Sequence, residues 1–221
     1  MNAKTILVGA AAVVAVGVLA YTQLPKSDPD PMAGMDHSTM TMTPASVSAS
    51  TKAYEGAMTS MMKGMMVPLT GKPDVDFMQG MMPHHQGAID MAKAVLQYGK
   101  DPEVKTLAEN VIKAQEGEIA FMKDWLGRVV QSSLVVSPES AKGNEQAMGT
   151  MMKNMAVPYT GDADADFLKS MIPHHQGAID MAKVALQFAK DPEVLKLAQD
   201  VVKAQESEIA FMTGWLAKNG K

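Results

Sequence analysis

One stretch of this 221-residue chain is written twice. MMPHHQGAIDMAK at 81–93 returns as MIPHHQGAIDMAK at 171–183, DPEV at 101–104 returns at 191–194, and AQEGEIAFM at 114–122 returns as AQESEIAFM at 204–212. Residues near 51–127 thus reappear near 141–217 at a constant offset of about 90 with no gap. Whatever one copy folds into, the other must fold into as well, and the two must be able to share a core.

Each copy reads as helix throughout, because apolar residues recur at three- and four-residue spacing and the breaks fall at helix punctuation. The spacing predicts three helices per copy. The first spans about 51–66 and ends before Pro68; its repeat, near 138–156, has Ser137 as cap and Pro138 at the first helical position. The second starts with Asp74 as cap and runs to Tyr98 or Gly99, with Pro83 placed to kink it just before a histidine pair. The third has Asp101 as cap, Pro102 and Glu103 behind it, and continues to about Leu126. In the second copy the same logic runs from Asp164 or Ala165 to Ala189 and from Asp191 to Leu216. Long helices joined by two or three residues run antiparallel, so the expected architecture is all-α: a ferritin-like four-helix bundle formed by two tandem helical-hairpin repeats, each preceded by a short Met-rich helix. Trp125, Phe121, Trp215 and Phe211 are expected as large core fillers, with Ile89, Val95, Leu96, Val104, Leu107 and Val111 along the seam.

Ahead of the repeats, Ile6 to Tyr21 is an uncharged run, shorter than a full membrane span and followed by Pro25, Pro29 and Pro31. It reads as a signal peptide, with Val18 and Ala20 as a loose cleavage site, or as an uncleaved N-terminal anchor. Both mean export, to the periplasm or another extracytoplasmic space. The expected organisation is an export segment at 1–21, a flexible linker at 22–50, helical repeat 1 at 51–127, an inter-repeat linker at 128–140 and helical repeat 2 at 141–221.

Composition narrows the chemistry. Twenty Lys+Arg against 24 Asp+Glu leave a net charge of -4, no footprint for nucleic acid. No cysteine excludes thiolate metal sites and thiol catalysis. Methionine, by contrast, occurs 22 times, about one residue in ten. Thioether sulfur and imidazole together suit Cu(I) and, by the same softness, Ag(I).

The methionines fall in three settings. The linker carries Met32, Met35, His37, Met40 and Met42 within MAGMDHSTMTM, where no core could be built around them. The first helix carries Met58, Met61, Met62, Met65 and Met66, leaving Leu, Ile and Val almost unused; its repeat carries Met148, Met151, Met152 and Met155. On the second helix Met81 lies four residues before His85, Met78 six before His84, and Met91 seven after His84, so one face can present two sulfurs and an imidazole. Neighbouring histidines point about 100° apart. One of each pair can therefore join the methionine face, while the other turns to a second site, to Glu118 on the next helix, or to solvent. Met171, His174, His175 and Met181 repeat the pattern. Against this stands ordinary packing, since methionine stripes fill irregular cores, and Met122 and Met212 read as core from spacing alone. Glu118 and Glu208, beside Gln115 and Gln205, are placed to orient a histidine's second nitrogen.

Catalytic templates are missing: no H-E-x-x-H, no paired Glu-x-x-His, no phosphate loop and no G-x-S-x-G elbow. The chain reads as a binding protein rather than an enzyme, an oxidoreductase of ferritin-like descent being the weakest alternative.

The paired FMxxMMPHHQGAIDMAK and AQExEIAFMxxWL segments resemble the bacterial domain of unknown function 305, over residues ~51–217. That resemblance implies a ferritin-like bundle on exported or anchored proteins, some of which are periplasmic copper-binding proteins that also take silver and contribute to copper resistance. It implies ligands at Met78, Met81, Met82, His84, His85, Met91 and Met122, and at Met171, His174, His175, Met181 and Met212. Ala156, Leu168 and Ile172 replace methionines of the first copy, so the second site is expected to be weaker or differently coordinated. The resulting expectation is an exported protein that sequesters or transfers copper, as Cu(I) with Cu(II) and silver as further states, for copper homeostasis or resistance. Its partners would be metal ions and a copper donor or efflux protein, with no nucleic acid and the membrane reached only through the N-terminal segment. Affinity at histidine sites should fall below about pH 6.5. The competing account is a non-metal helical scaffold that takes peptide or protein partners in Met-rich grooves.

Overall fold

The computed structural model describes residues 47–130 and 134–221. Within them run six helices: α1 (Ala49–Met65), α2 (Pro73–Tyr98), α3 (Pro102–Arg128), α4 (Pro138–Asn154), α5 (Ala163–Phe188) and α6 (Pro192–Lys218). No strand occurs among the described residues. The all-α class and the hairpin-plus-short-helix plan of each repeat are as expected. The export segment and the linker methionines Met35, His37 and Met40 lie outside the described residues.

Capping sets the helix starts, and differs from expectation at two of them. Ser48, Asp101, Ser137 and Asp191 cap α1, α3, α4 and α6 by accepting from backbone N–H groups one turn in. Asp74 does not cap α2. The helix begins at Pro73 with Lys72 ahead of it, and Lys72 supplies no side-chain bond. In α5 the cap is Asp162, which accepts from Ala165 N, rather than Asp164 or Ala165. Asp74 and Asp164 serve the other repeat instead. Asp74 Oδ1 accepts from Lys190 N at 3.0 Å and Asp191 N at 2.8 Å, and Asp164 accepts from Lys100 N at 2.8 Å and Asp101 N at 3.3 Å. Each α2-type helix start thus ties down the turn of the opposite hairpin.

That reciprocity gives the topology. α2 packs on α3 and α1, α5 packs on α6 and α4, and α2 and α5 pack on each other. One core joins Val75, Met78 and Met81 of α2 with Ala185, Ala189 and Val194; the other joins Ala165, Leu168 and Met171 of α5 with Ala92, Val95 and Val104. α2 and α5 are therefore antiparallel, each core is built from both repeats, and the two helices meet at their midpoints. Trp125 and Trp215 are buried as expected, but Phe211 is 40% exposed. It stands about 100° around α6 from Met212, which faces the core. Phe77 and Phe167, not foreseen as fillers, are fully buried in its place.

Close approach depends on two glycines. A Cβ on Gly87 would stand 2.8 Å from Met61 Cβ and Cγ, and one on Gly177 would stand 2.6 Å from Met151 Cγ. α1 and α4 can thus lie directly on the middle of α2 and α5. Gly87→Ala should cost about 1–3 kcal/mol by overpacking, because Met61 Cβ is too near its own backbone to swing away. Urea melts of the variant check this, and unchanged stability would show that α1 yields.

Candidate functional site

At the midpoint crossing, His84 of α2 meets His174 of α5. Their ring centroids are 3.8 Å apart at an interplanar angle of 37°. Both residues have 0% exposure. Neither Nδ1 nor Nε2 of either ring has a hydrogen-bond partner. Buried polar atoms are almost always paired, and an unpaired one costs about 1–3 kcal/mol. Four such nitrogens at one point are an unmet demand for an acceptor, a proton or a metal.

The electrostatics disfavour the proton. Burial pushes both imidazoles well below the ordinary histidine range. His84 adds to it at His174, His85 and His175 act in the same direction on each ring, and only a backbone contact opposes. Neutral imidazole is the form that ligates metal. The pH threshold of about 6.5 expected for histidine ligation therefore moves to more acid values at this pair.

His85 and His175 take the alternative route open to them. His85 Nε2 lies 2.6 Å from Glu118 Oε2, and His175 Nε2 lies 2.6 Å from Glu208 Oε2, the N–H donating to the carboxylate. Both rings are buried, and both glutamates are about one-fifth exposed. The 100° separation thus sends one histidine of each pair to the centre and the other outward. Nδ1 of His85 and His175 also lacks a partner.

Among the described residues no group of three His, Asp or Glu side chains is arranged to hold a metal ion. Methionine sulfur is the other soft donor that the described residues offer. Met61, Met65, Met78, Met81, Met122, Met151, Met155 and Met181 are buried in one core, with Met58, Met62, Met82, Met148 and Met152 packed against it. Met91, Met171 and Met212 are buried in the other. Met66 turns outward, 67% exposed, and joins neither. The sequence suggested one methionine face per repeat; the structure sorts the sulfurs by core, and each core mixes both repeats. The juxtaposition of His84 with His174 was the part not visible in sequence, since the 90-residue offset carries no information on how the copies cross.

No helix of the described residues is long and apolar enough to cross a membrane.

CopM has been solved in Cu(I)-bound, Cu(II)-bound and silver-bound forms. Its Cu(II)-bound form is 37% identical to this chain, with a TM-score of 0.51, over 66% of this chain and 96% of CopM. The putative secreted protein DUF305 of Streptomyces coelicolor is 29% identical with a TM-score of 0.55, over 69% of this chain and 95% of its own. The uncharacterized protein L153 of Acanthamoeba polyphaga mimivirus is 42% identical over 53 residues, a match spanning 24% of this chain and only about a third (35%) of that relative. Residues 74–216, from the start of α2 to the end of α6, match the family described as domain of unknown function (DUF305), and the chain belongs to that family.

Proposed function

We propose that this protein binds Cu(I), and Ag(I) in its place, as cargo, and that it sequesters or hands over copper outside the cytoplasm. The observation that carries this reading is the central pair: His84 and His174 in contact, fully buried, with the charged form disfavoured by burial and no protein hydrogen bond on any ring nitrogen. One core of the same bundle is rich in thioether sulfur, a donor that needs no deprotonation and prefers soft monovalent ions. A buried ion of low charge between neutral ligands also avoids the penalty that burial imposes on a divalent ion. Similarity to CopM, solved with both metals, and to a secreted DUF305 protein supports the cargo and the compartment.

In this reading His84 and His174 supply the nitrogen ligands and the neighbouring methionines the sulfur. Glu118 and Glu208 hold His85 and His175 against the bundle rim, and the Met- and His-containing segment at 32–42 collects metal ahead of the bundle. Burial of the methionines favours an ion over a peptide as the bound species, because Met66 alone of the α1 set is openly exposed.

Anaerobic titration of the whole protein with Cu(I) against a competing chelator tests the proposal. Binding of more than one equivalent is expected, with about one equivalent lost in His84→Ala/His174→Ala. Failure of the wild-type protein to compete for Cu(I) would overturn the proposal.

A further inference from the structure

The two repeats are not equivalent where the end of α1 meets α4, and the difference leaves a cavity. In the half built on the end of α4, the space is filled. Tyr54 is fully buried, donates to Ala163 O at 2.8 Å and stacks on Tyr159 with ring centroids 5.7 Å apart. Beside them Asp166 is satisfied on both oxygens: Oδ1 accepts from Thr160 N and Oγ1, and Oδ2 from Gly161 N at 2.8 Å. In the other half, a 90-residue offset puts Asn144 at the position of Tyr54, Leu69 at that of Tyr159, and Gly80 at that of Ser170. Three side chains have been exchanged for smaller or non-aromatic ones in one place.

What remains is a cavity of about 20 Å³, room for one water-sized species. Met65, Met148 and Met181 line it, together with Asp76, Asn144 and Gly80. Asp76 is 4% exposed. Its Oδ1 accepts from Thr70 N at 2.7 Å and Thr70 Oγ1 at 2.6 Å, but Oδ2 is buried without a partner. The Gly71 amide does not close on it as Gly161 closes on Asp166; Gly71 O instead accepts from Ser137 N at 2.7 Å. Gly71 and Gly161 both have positive φ, 73° and 87°, but only Gly161 donates its amide to the nearby aspartate.

Three methionines and Asp76, whose Oδ2 is buried without a partner, line this space and offer thioether and carboxylate donors. Sulfur selects a soft ion, and one carboxylate balances one positive charge. We infer that this cavity is a second, discrete site for a soft monovalent cation, Cu(I) or Ag(I), held by Met65, Met148, Met181 and Asp76. Among the described residues the equivalent position in the other half holds Tyr54, Tyr159 and Ser170 and an Asp166 bonded on both oxygens, so the proposed site is in the Asp76 half. This rests on the copper reading above but is separable from it, because none of these four residues belongs to the His84/His174 pair.

Silver nitrate titration of the full chain, followed by competition with a soluble thioether, reads the site. Met148→Leu and Asp76→Asn are each expected to remove the same single Ag(I) equivalent, or to weaken it about tenfold or more. Asn144→Tyr, which restores the aromatic of the filled half, is expected to do so without touching a ligand. The Met148→Leu/Asp76→Asn double variant should lose no more than that one equivalent. Thermal melts followed by helical circular dichroism confirm that each variant is folded, and Met148→Leu keeps the test valid if Asn144→Tyr is not. Wild-type stoichiometry in all the folded variants would overturn the site and mark the cavity as holding water, while leaving the copper proposal intact. Losses that add in the double variant would likewise overturn a single shared site. No Ag(I) uptake by the wild-type chain would instead remove the copper reading itself.

Discussion

Acidification from pH 7 to pH 5 is expected to destabilise the metal-free protein by up to about 4 kcal/mol through two histidines alone. His84 and His174 are neutral in the folded state because burial, reinforced by His85 and His175, holds them well below 6.5. The unfolded chain releases them to water, where they protonate near 6.5. Below that value the unfolded state binds more protons than the folded one, so stability falls as pH falls and levels off above about pH 7. Each histidine contributes at most about 1.4 kcal/mol per pH unit. Against a typical total of 5–15 kcal/mol the sum is large. Urea melts in the presence of a chelator, taken at half-unit steps, would show it. Because carboxylates contribute at the acid end too, the decisive quantity is the difference between wild type and a variant lacking both histidines. Parallel profiles for the two proteins would mean that the central rings are solvated or protonated in the folded state.

This acid sensitivity was legible in sequence only in part. The helices were, because helix periodicity, Asp-Pro-Glu starts and Pro-bounded ends are local signals, and α3, α4 and α6 begin where those signals put them. Division of labour within each histidine pair was legible too: a 100° step between neighbours forces them apart, and Glu118 and Glu208 were foreseen as partners for the outward rings. Three things were not. Asp74 and Asp164 carry the composition of caps but bind the opposite hairpin's turn, a contact spanning more than a hundred residues in one case. The sorting of methionines by core depends on α2 and α5 being antiparallel, which a repeat offset does not encode. The cavity beside Asp76 exists because Tyr54, Tyr159 and Ser170 have smaller or non-aromatic counterparts, and a substitution between repeats shows its effect only once both positions are seen to face equivalent spaces. Local physics wrote the elements; what they do at their crossings depends on packing.

Replacement of both central histidines by leucine, His84→Leu with His174→Leu, is expected to raise the stability of the metal-free protein by about 2 kcal/mol or more. That sign is opposite to the usual result for a fully buried core position, where most substitutions destabilise. The reason is that the wild-type pair holds four ring nitrogens out of water with no partner in return. Leucine is of similar bulk and has nothing to desolvate, and replacing both members of a buried polar pair leaves neither one stranded. A single His84→Leu should give a smaller gain, since His174 keeps its two unpaired nitrogens. The same double variant should flatten the acid limb described above. With soft metal added the gap should close: wild type gains roughly 2.7 kcal/mol at a free metal concentration a hundredfold above its dissociation constant, an increment that the leucine variant lacks at the central site. A destabilising pair kept at the crossing of α2 and α5 is what a stability-for-function exchange at that point would look like. Denaturant melts of wild type and variant, each with chelator and with Ag(I), separate the two contributions. If the variant is less stable without metal, the rings are packing elements whose nitrogens find water, and the case for a central metal site loses its physical basis.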